Sequence, residues 1–112
     1  MRMVLAVLAS LAGAPLLEGF DVPLMPGLAE VADSRLTFDK EEGSIVETVL
    51  EGAVAREQAE AYYAGALAGL GWTLAESRGS RQVYRRGDEQ LILDYAGGAE
   101  GTRVRLLREP AD

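Results

Sequence analysis

Apolar and polar residues recur with two different periods along the chain, and these periods separate one helix from several strands. Between Val54 and Leu70, apolar side chains return every three or four residues, which is the spacing of one helix face. Arg56, Glu57 and Glu60 fall on the opposite side, so we predict an amphipathic helix. Its apolar stripe comprises Ala55, Ala59, Tyr62, Tyr63, Ala66, Leu67 and Leu70.

The end of this helix, "YYAGALAGLGW" at residues 62–72, holds three glycines. Gly71 follows the last apolar residue and is expected to end the helix in the left-handed conformation. Gly65 and Gly69 have the spacing of a transmembrane packing motif, but the segment is too short to span a bilayer. It also lacks the Lys-Ser/Thr of a phosphate-binding loop. We therefore expect Gly65 or Gly69 to let the helix approach a sheet closely.

Residues on both sides of the helix alternate between apolar and polar, as strands of a half-buried sheet do. Before the helix, "RLTFDKEEGSIVETVLEG" predicts a hairpin that turns at Glu42-Gly43. After it, turns at Gly79-Ser80, at Gly87-Asp88 and in "GGAEG" separate four predicted strands. The core candidates in this second set are Trp72, Leu74, Val83, Leu91, Leu93, Tyr95, Val104 and Leu106.

The order strand-strand-helix-strand-strand-strand-strand predicts an α+β fold. We expect an antiparallel sheet of about five to six strands with one long helix packed on one face and arginines on the other. The predicted organisation is a signal peptide over residues 1–19, a proline-containing extended arm over residues 20–33, and a single α+β domain over residues 34–109. Leu24, Met25 and Leu28 are expected to pin the arm to the core.

The N-terminus has the order of a secretory signal. Arg2 supplies the positive charge, "MVLAVLASLAGA" the apolar region, and small residues follow. Ala12 and Ala14 form an A-x-A cleavage signal, but cleavage there would make Pro15 the first residue of the mature chain, so cleavage nearer Gly19 is also open. A short buried helix is the alternative interpretation, whereas Glu18 interrupts the run before it reaches the length of a membrane span. We predict a periplasmic or secreted protein without a transmembrane anchor after processing.

The amino-acid composition further limits the reactions and partners to be considered. The chain has 112 residues, a net charge of −7, and neither cysteine nor histidine. Thiol, imidazole and most transition-metal chemistry is thereby removed, and the acidic balance disfavours nucleic acid as a partner. Asp94, between two apolar strand residues, is the candidate for carboxylate catalysis, but strand alternation turns it towards solvent. The acidic turn Asp39, Glu41 and Glu42 lacks the spacing of a calcium loop. We predict no enzymatic activity, no cofactor and no metal.

Two hypotheses for function remain. In the first, the protein is an interaction module of the cell envelope, and a face of arginines binds an envelope protein or an anionic envelope component. The simpler alternative for these arginines is that they solvate the sheet and block edge pairing. In the second hypothesis, a lipid or metabolite binds between the helix and the sheet. The candidates are Arg81, Arg85, Arg103 and Arg105 for the face, and Tyr63, Leu67, Trp72 and Tyr95 for the pocket.

Four short segments of the chain also suggest a resemblance to a known family. The segments "VPLMPGL", "FDKEEGSIVE", "YYAGALAGLGW" and "GTRVRLL" follow one another in an order that resembles a family of small exported proteobacterial proteins without an assigned activity. In that family a proline-containing arm precedes a hairpin, and the helix ends in a tyrosine, a leucine and Leu-Gly-Trp. Here these match Tyr62 or Tyr63, Leu67, and Leu70-Gly71-Trp72. The resemblance implies a fold and an export route, and it implies no catalytic residue.

Overall fold

A computed structural model describes residues 15–111, which form an antiparallel sheet covered by one helix. The large sheet has seven strands in the order β3-β5-β9-β8-β7-β6, with β4 also paired to β5, and β1 and β2 form a separate hairpin. The predicted α+β class and element order are confirmed, and the additional short strands come from the arm. The elements are β1 Leu16–Leu17, β2 Val22–Pro23, β3 Ala29–Glu30, β4 Leu36–Lys40, β5 Gly43–Gly52, α1 Arg56–Gly69, β6 Thr73–Arg78, β7 Arg81–Arg86, β8 Glu89–Gly97 and β9 Thr102–Pro110.

The chain crosses the sheet once and then returns in steps. After β5, the helix α1 carries it over to β6 at the far edge, and three hairpins lead back through β7 and β8 to β9, which pairs with β5. All the strand pairs are antiparallel. The connection from β5 to β6 is therefore long, and its helix α1 packs on the sheet face that it crosses.

Alternating strand residues build the core on the face beneath α1. In β9, Val104 and Leu106 are fully buried, and Leu50 of β5 and Leu93 of β8 lie opposite them in the register. The helix contributes its own buried residues at four-residue spacing, namely Ala59, Tyr63 and Leu67. The predicted helical stripe is confirmed along this line, while Tyr62 and Leu70 are half-buried beside it.

The arm covers the part of the core face that α1 leaves open. Phe20 and Val22 are fully buried, and Leu17 and Leu28 nearly so. Leu28 was expected there, and Leu24 and Met25 pack partly buried against the core as predicted. Phe20 and Val22 were not predicted as core residues, because a short arm with prolines shows no apolar period.

Contacts from other elements hold the two ends of α1. No side chain caps its start at Ala55, and the backbone N–H of Arg56 instead donates to the carbonyl of Gly98 at 2.9 Å. At its end, Gly71 has a φ of 89°, and the N–H of Trp72 donates to the carbonyl of Leu67 at 2.9 Å. This is the hydrogen-bond pattern of a glycine-terminated helix, so the prediction for Gly71 is confirmed.

The structure corrects the predicted role of Gly65 and Gly69. A Cβ atom at either position would meet no heavy atom of residues 15–111 within 4 Å, apart from the helix itself. Both glycines are exposed. The close approach in this protein is at Gly52 instead, where a Cβ would lie 1.9 Å from the carbonyl oxygen of Gly27.

Three further predictions differ from the structure. Leu74 is 49% exposed, because it lies on the edge strand β6 beyond the cover of the helix. Val83 is half-buried on the opposite face, and its neighbour Tyr84 takes the core position. The first hairpin turns at residues 41–42, so that Gly43 is already paired with Lys40. The other predicted core residues of these strands are buried.

Most of the predicted signal peptide, residues 1–14, lies outside the described residues. Its last five residues belong to the hairpin formed by β1 and β2, where Leu17 pairs with Val22. The carbonyl of Pro15 accepts a hydrogen bond of 2.8 Å from the N–H of Leu24. The folded structure therefore extends back to Pro15.

Candidate interaction face

The face of the sheet opposite α1, called the outer face here, is the most extended surface that the fold leaves uncovered. The predicted arginines Arg81, Arg85, Arg103 and Arg105 all point to this face and are exposed. Arg103 and Arg105 alternate on β9 with the buried core residues, and Arg81 and Arg85 do the same on β7. Strand alternation therefore placed all four arginines correctly.

Carboxylates on neighbouring strands neutralise three of these arginines. Arg103 Nε lies 2.7 Å from Glu51 Oε2, and Arg105 Nε lies 3.7 Å from Glu47 Oε2. Arg81 donates to both carboxylate oxygens of Asp94 at 3.1 and 3.2 Å, and this hydrogen bonding raises the pKa of Arg81. Arg85 lies opposite Gln90. The outer face thus carries paired charges rather than a concentrated positive field.

Apolar side chains run across the outer face between these charges. Ile92 lies opposite both Val83 and Leu107 in the register, and Ile92 is 9% exposed. Its neighbours on the face are half-buried. We call this set the outer strip, and it consists of Ile45, Val49, Val83, Ile92 and Leu107.

The outer strip was not predicted, although a pattern in the sequence indicates it. In a sheet with one face packed on the core and one face exposed to solvent, apolar and polar residues alternate along each strand. Here Ile45-Val46, Val49-Leu50 and Leu106-Leu107 are consecutive apolar pairs, and one member of each must point outwards. These pairs indicate that both faces of the central strands are apolar.

The four predicted pocket residues lie together in the closed core. Tyr63 and Leu67 are fully buried, and Trp72 and Tyr95 are 3% exposed. All four belong to one hydrophobic cluster with the strands beneath α1. Two polar atoms in this group, Trp72 Nε1 and Tyr95 Oη, are buried without a hydrogen-bond partner among the described residues. Small-ligand binding at this place stays a prediction.

The tyrosines of the core differ in how their hydroxyl groups are satisfied. Tyr63 donates to the carbonyl of Pro23 at 2.9 Å and accepts from the N–H of Met25 at 3.1 Å. Burial raises the pKa of Tyr63 to about 12. Burial also raises the pKa of Tyr95. Both hydroxyls thus stay protonated at neutral pH, which suits structural groups better than acid-base catalysts.

Other surface depressions are shallow and lined by different residues. An apolar groove of about 550 Å³ lies between α1 and the hairpin β1–β2, and Leu16, Tyr62, Gly65 and Gly69 line it. Within residues 15–111 there is no cluster of three or more acidic side chains that could hold a metal ion. The part of the chain with a described structure also contains no helix long and apolar enough to cross a membrane.

Comparisons with known proteins do not extend these observations. Neither a family model, nor a curated protein, nor a solved structure matches the chain. The resemblance to small exported proteobacterial proteins therefore stays a prediction.

Proposed function

We propose that this protein is a non-enzymatic accessory module of the bacterial periplasm that binds an envelope protein through the outer strip. The proposal of export rests on the charged and then apolar N-terminus, and on the A-x-A at Ala12 and Ala14. The chain contains no cysteine or histidine, and the carboxylate of Asp94 is held by Arg81. These features favour a binding role over a catalytic one.

The observation that carries the proposal is the asymmetry between the two faces of the sheet. The helix and the arm cover one face, whereas the other face carries a strip of half-buried apolar residues around Ile92, bordered by ion pairs. Such a surface resembles a protein interface, with an apolar centre and a polar rim. Because three of the four arginines are paired with carboxylates, an apolar protein surface fits this face better than an anionic polymer.

Site-specific photo-cross-linking in intact cells tests this proposal. A photoreactive residue is introduced at Ala96, which is exposed on the outer face, or at Ala61, which is exposed on the far side of α1. We expect a discrete heavier adduct from position 96 and none from position 61. Leu107→Lys should abolish the adduct because it places a charge in the centre of the outer strip.

The matched control is Leu16→Lys, because Leu16 is a 58% exposed leucine far from the outer face. This variant should keep the adduct. Recovery of free monomer alone, or of identical adducts from positions 96 and 61, would contradict the proposal. Thermal denaturation of the variants shows whether Leu107→Lys has lost the adduct because it is unfolded. If it is unfolded, Val49→Lys is used as the test variant in its place.

A further inference from the structure

The two edges of the large sheet differ in how well they are protected against pairing with another strand. At one edge, β6 has an irregular register between Leu74 and Glu76. A bulge of this kind opposes edge-to-edge pairing. Both edge strands carry two charged residues, so the register is what distinguishes them. At the other edge, β4 keeps a regular register with β5 over all its residues, and every one of them is exposed. The β4 edge is therefore the one suited to pairing.

The backbone of β4 offers its free hydrogen-bonding groups at alternate residues. The hydrogen bonds of Val49 show in which direction the backbone groups of β5 point. Its carbonyl accepts from the N–H of Val31, and its N–H donates to Ser34 Oγ. The odd-numbered residues of β5 therefore bond towards the side on which β4 lies. Their partners in β4 are the even-numbered residues. Consequently Thr37 and Asp39 direct their N–H and C=O groups away from β5.

On the outer face β4 carries Leu36, Phe38 and, at its end, Lys40, and on the other face it carries the polar residues Thr37 and Asp39. Leu36 is 49% exposed and Phe38 is 55% exposed, and both lie on the outer face opposite Glu47 and Ile45. Charged residues usually protect a free edge, and on this face of β4 the only charged residue is Lys40, at the end of the strand. Together Leu36 and Phe38 provide an apolar patch directly beside an open backbone.

We propose that β4 pairs antiparallel with β4 of a second copy of this chain, around a two-fold axis at Thr37, to give one continuous sheet across the dimer. In this register Leu36 lies opposite Phe38 of the second copy, and the symmetry repeats the contact. Thr37 lies opposite its own equivalent, where the two residues exchange backbone hydrogen bonds. The inference concerns β4 alone and does not depend on whether the outer strip binds an envelope protein.

Charge complementarity favours this register over its neighbours. It places Arg35 of each copy opposite Asp39 of the other, on the face that carries neither Leu36 nor Phe38. Arg35 already donates from Nε to Glu30 Oε2 at 2.8 Å and from Nη1 to the carbonyl of Glu18, and its guanidinium lies over the ring of Phe20. A guanidinium has five donor hydrogens, so donors remain for a further carboxylate. Moving the axis to Asp39 would place two aspartates opposite each other, which is unfavourable. Moving it to Phe38 would place Phe38 opposite its own equivalent and Leu36 opposite Lys40, so that Leu36 would lose its apolar partner directly across the contact.

The contact is small, because β4 has five residues. Interfaces below the standard size form weak or transient complexes. We therefore expect a reversible dimer with a dissociation constant on the order of 100 µM, and the concentration range of the experiment must reach well above this value.

Sedimentation equilibrium over a concentration series tests the pairing. The protein is purified from cells that express the complete chain, and its N-terminus is determined by intact mass. The wild type should dimerise reversibly, and Phe38→Lys should weaken the association at least about tenfold, because lysine on an edge opposes pairing. Thr37→Pro should have the same effect through the backbone. Its lost N–H points away from β5, so the β4–β5 bonds are retained.

The matched control is Leu74→Lys, which changes a similarly exposed leucine on the opposite edge. It should leave the dissociation constant within about twofold of the wild-type value. A wild type that stays monomeric at concentrations about tenfold above the expected constant would overturn the inference. Equal weakening by Phe38→Lys and Leu74→Lys would also overturn it, because the contact would not then be specific to β4.

Disulfide trapping tests the register without depending on a destabilised variant. The chain has no cysteine, so each introduced cysteine is unique. With the axis at Thr37, two Thr37→Cys residues lie about 5.5 Å apart and can form a disulfide. Two Phe38→Cys residues are diagonal neighbours about 7–8 Å apart, which is beyond bridging distance. Thr37→Cys should therefore form disulfide dimers faster. Equal or faster trapping of Phe38→Cys would overturn this arrangement.

Discussion

At the scale of single residues, Tyr63 connects the three parts of the fold. Its ring is fully buried among residues of α1 and the sheet, and its hydroxyl bonds to two backbone groups of the arm at Pro23 and Met25. Tyr62, one residue earlier, is half-buried at the edge of the same cluster. The two adjacent tyrosines therefore have different roles, and the deeper one holds the arm.

Tyr63→Phe should lower the free energy of unfolding by about 1–3 kcal/mol. The substitution keeps the buried ring but leaves the carbonyl of Pro23 and the N–H of Met25 without their partner. Urea denaturation followed by Trp72 fluorescence gives the difference. Tyr62→Phe is the control and should change stability by less than about 0.5 kcal/mol, since surface substitutions of this kind are nearly neutral. Equal losses in the two variants would contradict the assignment.

At the scale of elements, α1 carries two glycines for which the described contacts give no packing reason. Gly65 and Gly69 are exposed and line the groove beside the hairpin β1–β2. Glycine within a helix costs more conformational entropy than alanine does. Gly71, by contrast, adopts a φ of 89°, which alanine tolerates poorly. Gly65 and Gly69 therefore lower the stability of the helix, whereas Gly71 favours its termination.

Gly65→Ala and Gly69→Ala should each raise the free energy of unfolding by about 0.5–1 kcal/mol. Their new Cβ atoms meet no described atom within 4 Å outside the helix, so no steric penalty offsets the gain. Gly71→Ala is the contrasting control and should lower stability by about 1 kcal/mol or more, because its φ is positive. Thermal and urea denaturation of the three variants measure these differences. Destabilisation by Gly65→Ala would mean that this face of α1 packs against a further segment.

Local patterns were enough to predict the elements but not the way they pack. The glycine at the helix end, the hairpin turns and the outward arginines follow from rules that act within a few residues, so they could be identified from the sequence. Val83 and Tyr84 are adjacent apolar residues, and only the pairing of β7 decides which of them points inwards. Phe20 and Val22 lie in an aperiodic arm. Their burial depends on long-range contacts that no local pattern encodes.

At the scale of the whole molecule, two separate segments cover the same face of one sheet. The helix and the arm share the core, while neither segment covers the half-buried outer strip on the opposite face, and the residues of β4 are exposed. Arginines hold the arm at several points. Arg108 donates to the carbonyl of Gly19 at 3.0 Å, and Arg86 binds Asp21 at 3.1 Å. The start of the arm therefore belongs to the folded domain and affects its stability.

A chain that begins at Phe20 should be less stable than one that begins at Pro15 by about 2 kcal/mol or more. The shorter chain lacks Leu17, which is 6% exposed, and it also lacks the pairing of β1 with β2. Urea denaturation of the two chains gives the difference.

If the proposed export is correct, cleavage after Ala14 keeps this hairpin, whereas cleavage near Gly19 removes it. Intact mass of the exported protein should therefore identify Pro15 as its first residue. A mature chain that begins at Phe20 and is as stable as the longer one would contradict the structural role of β1.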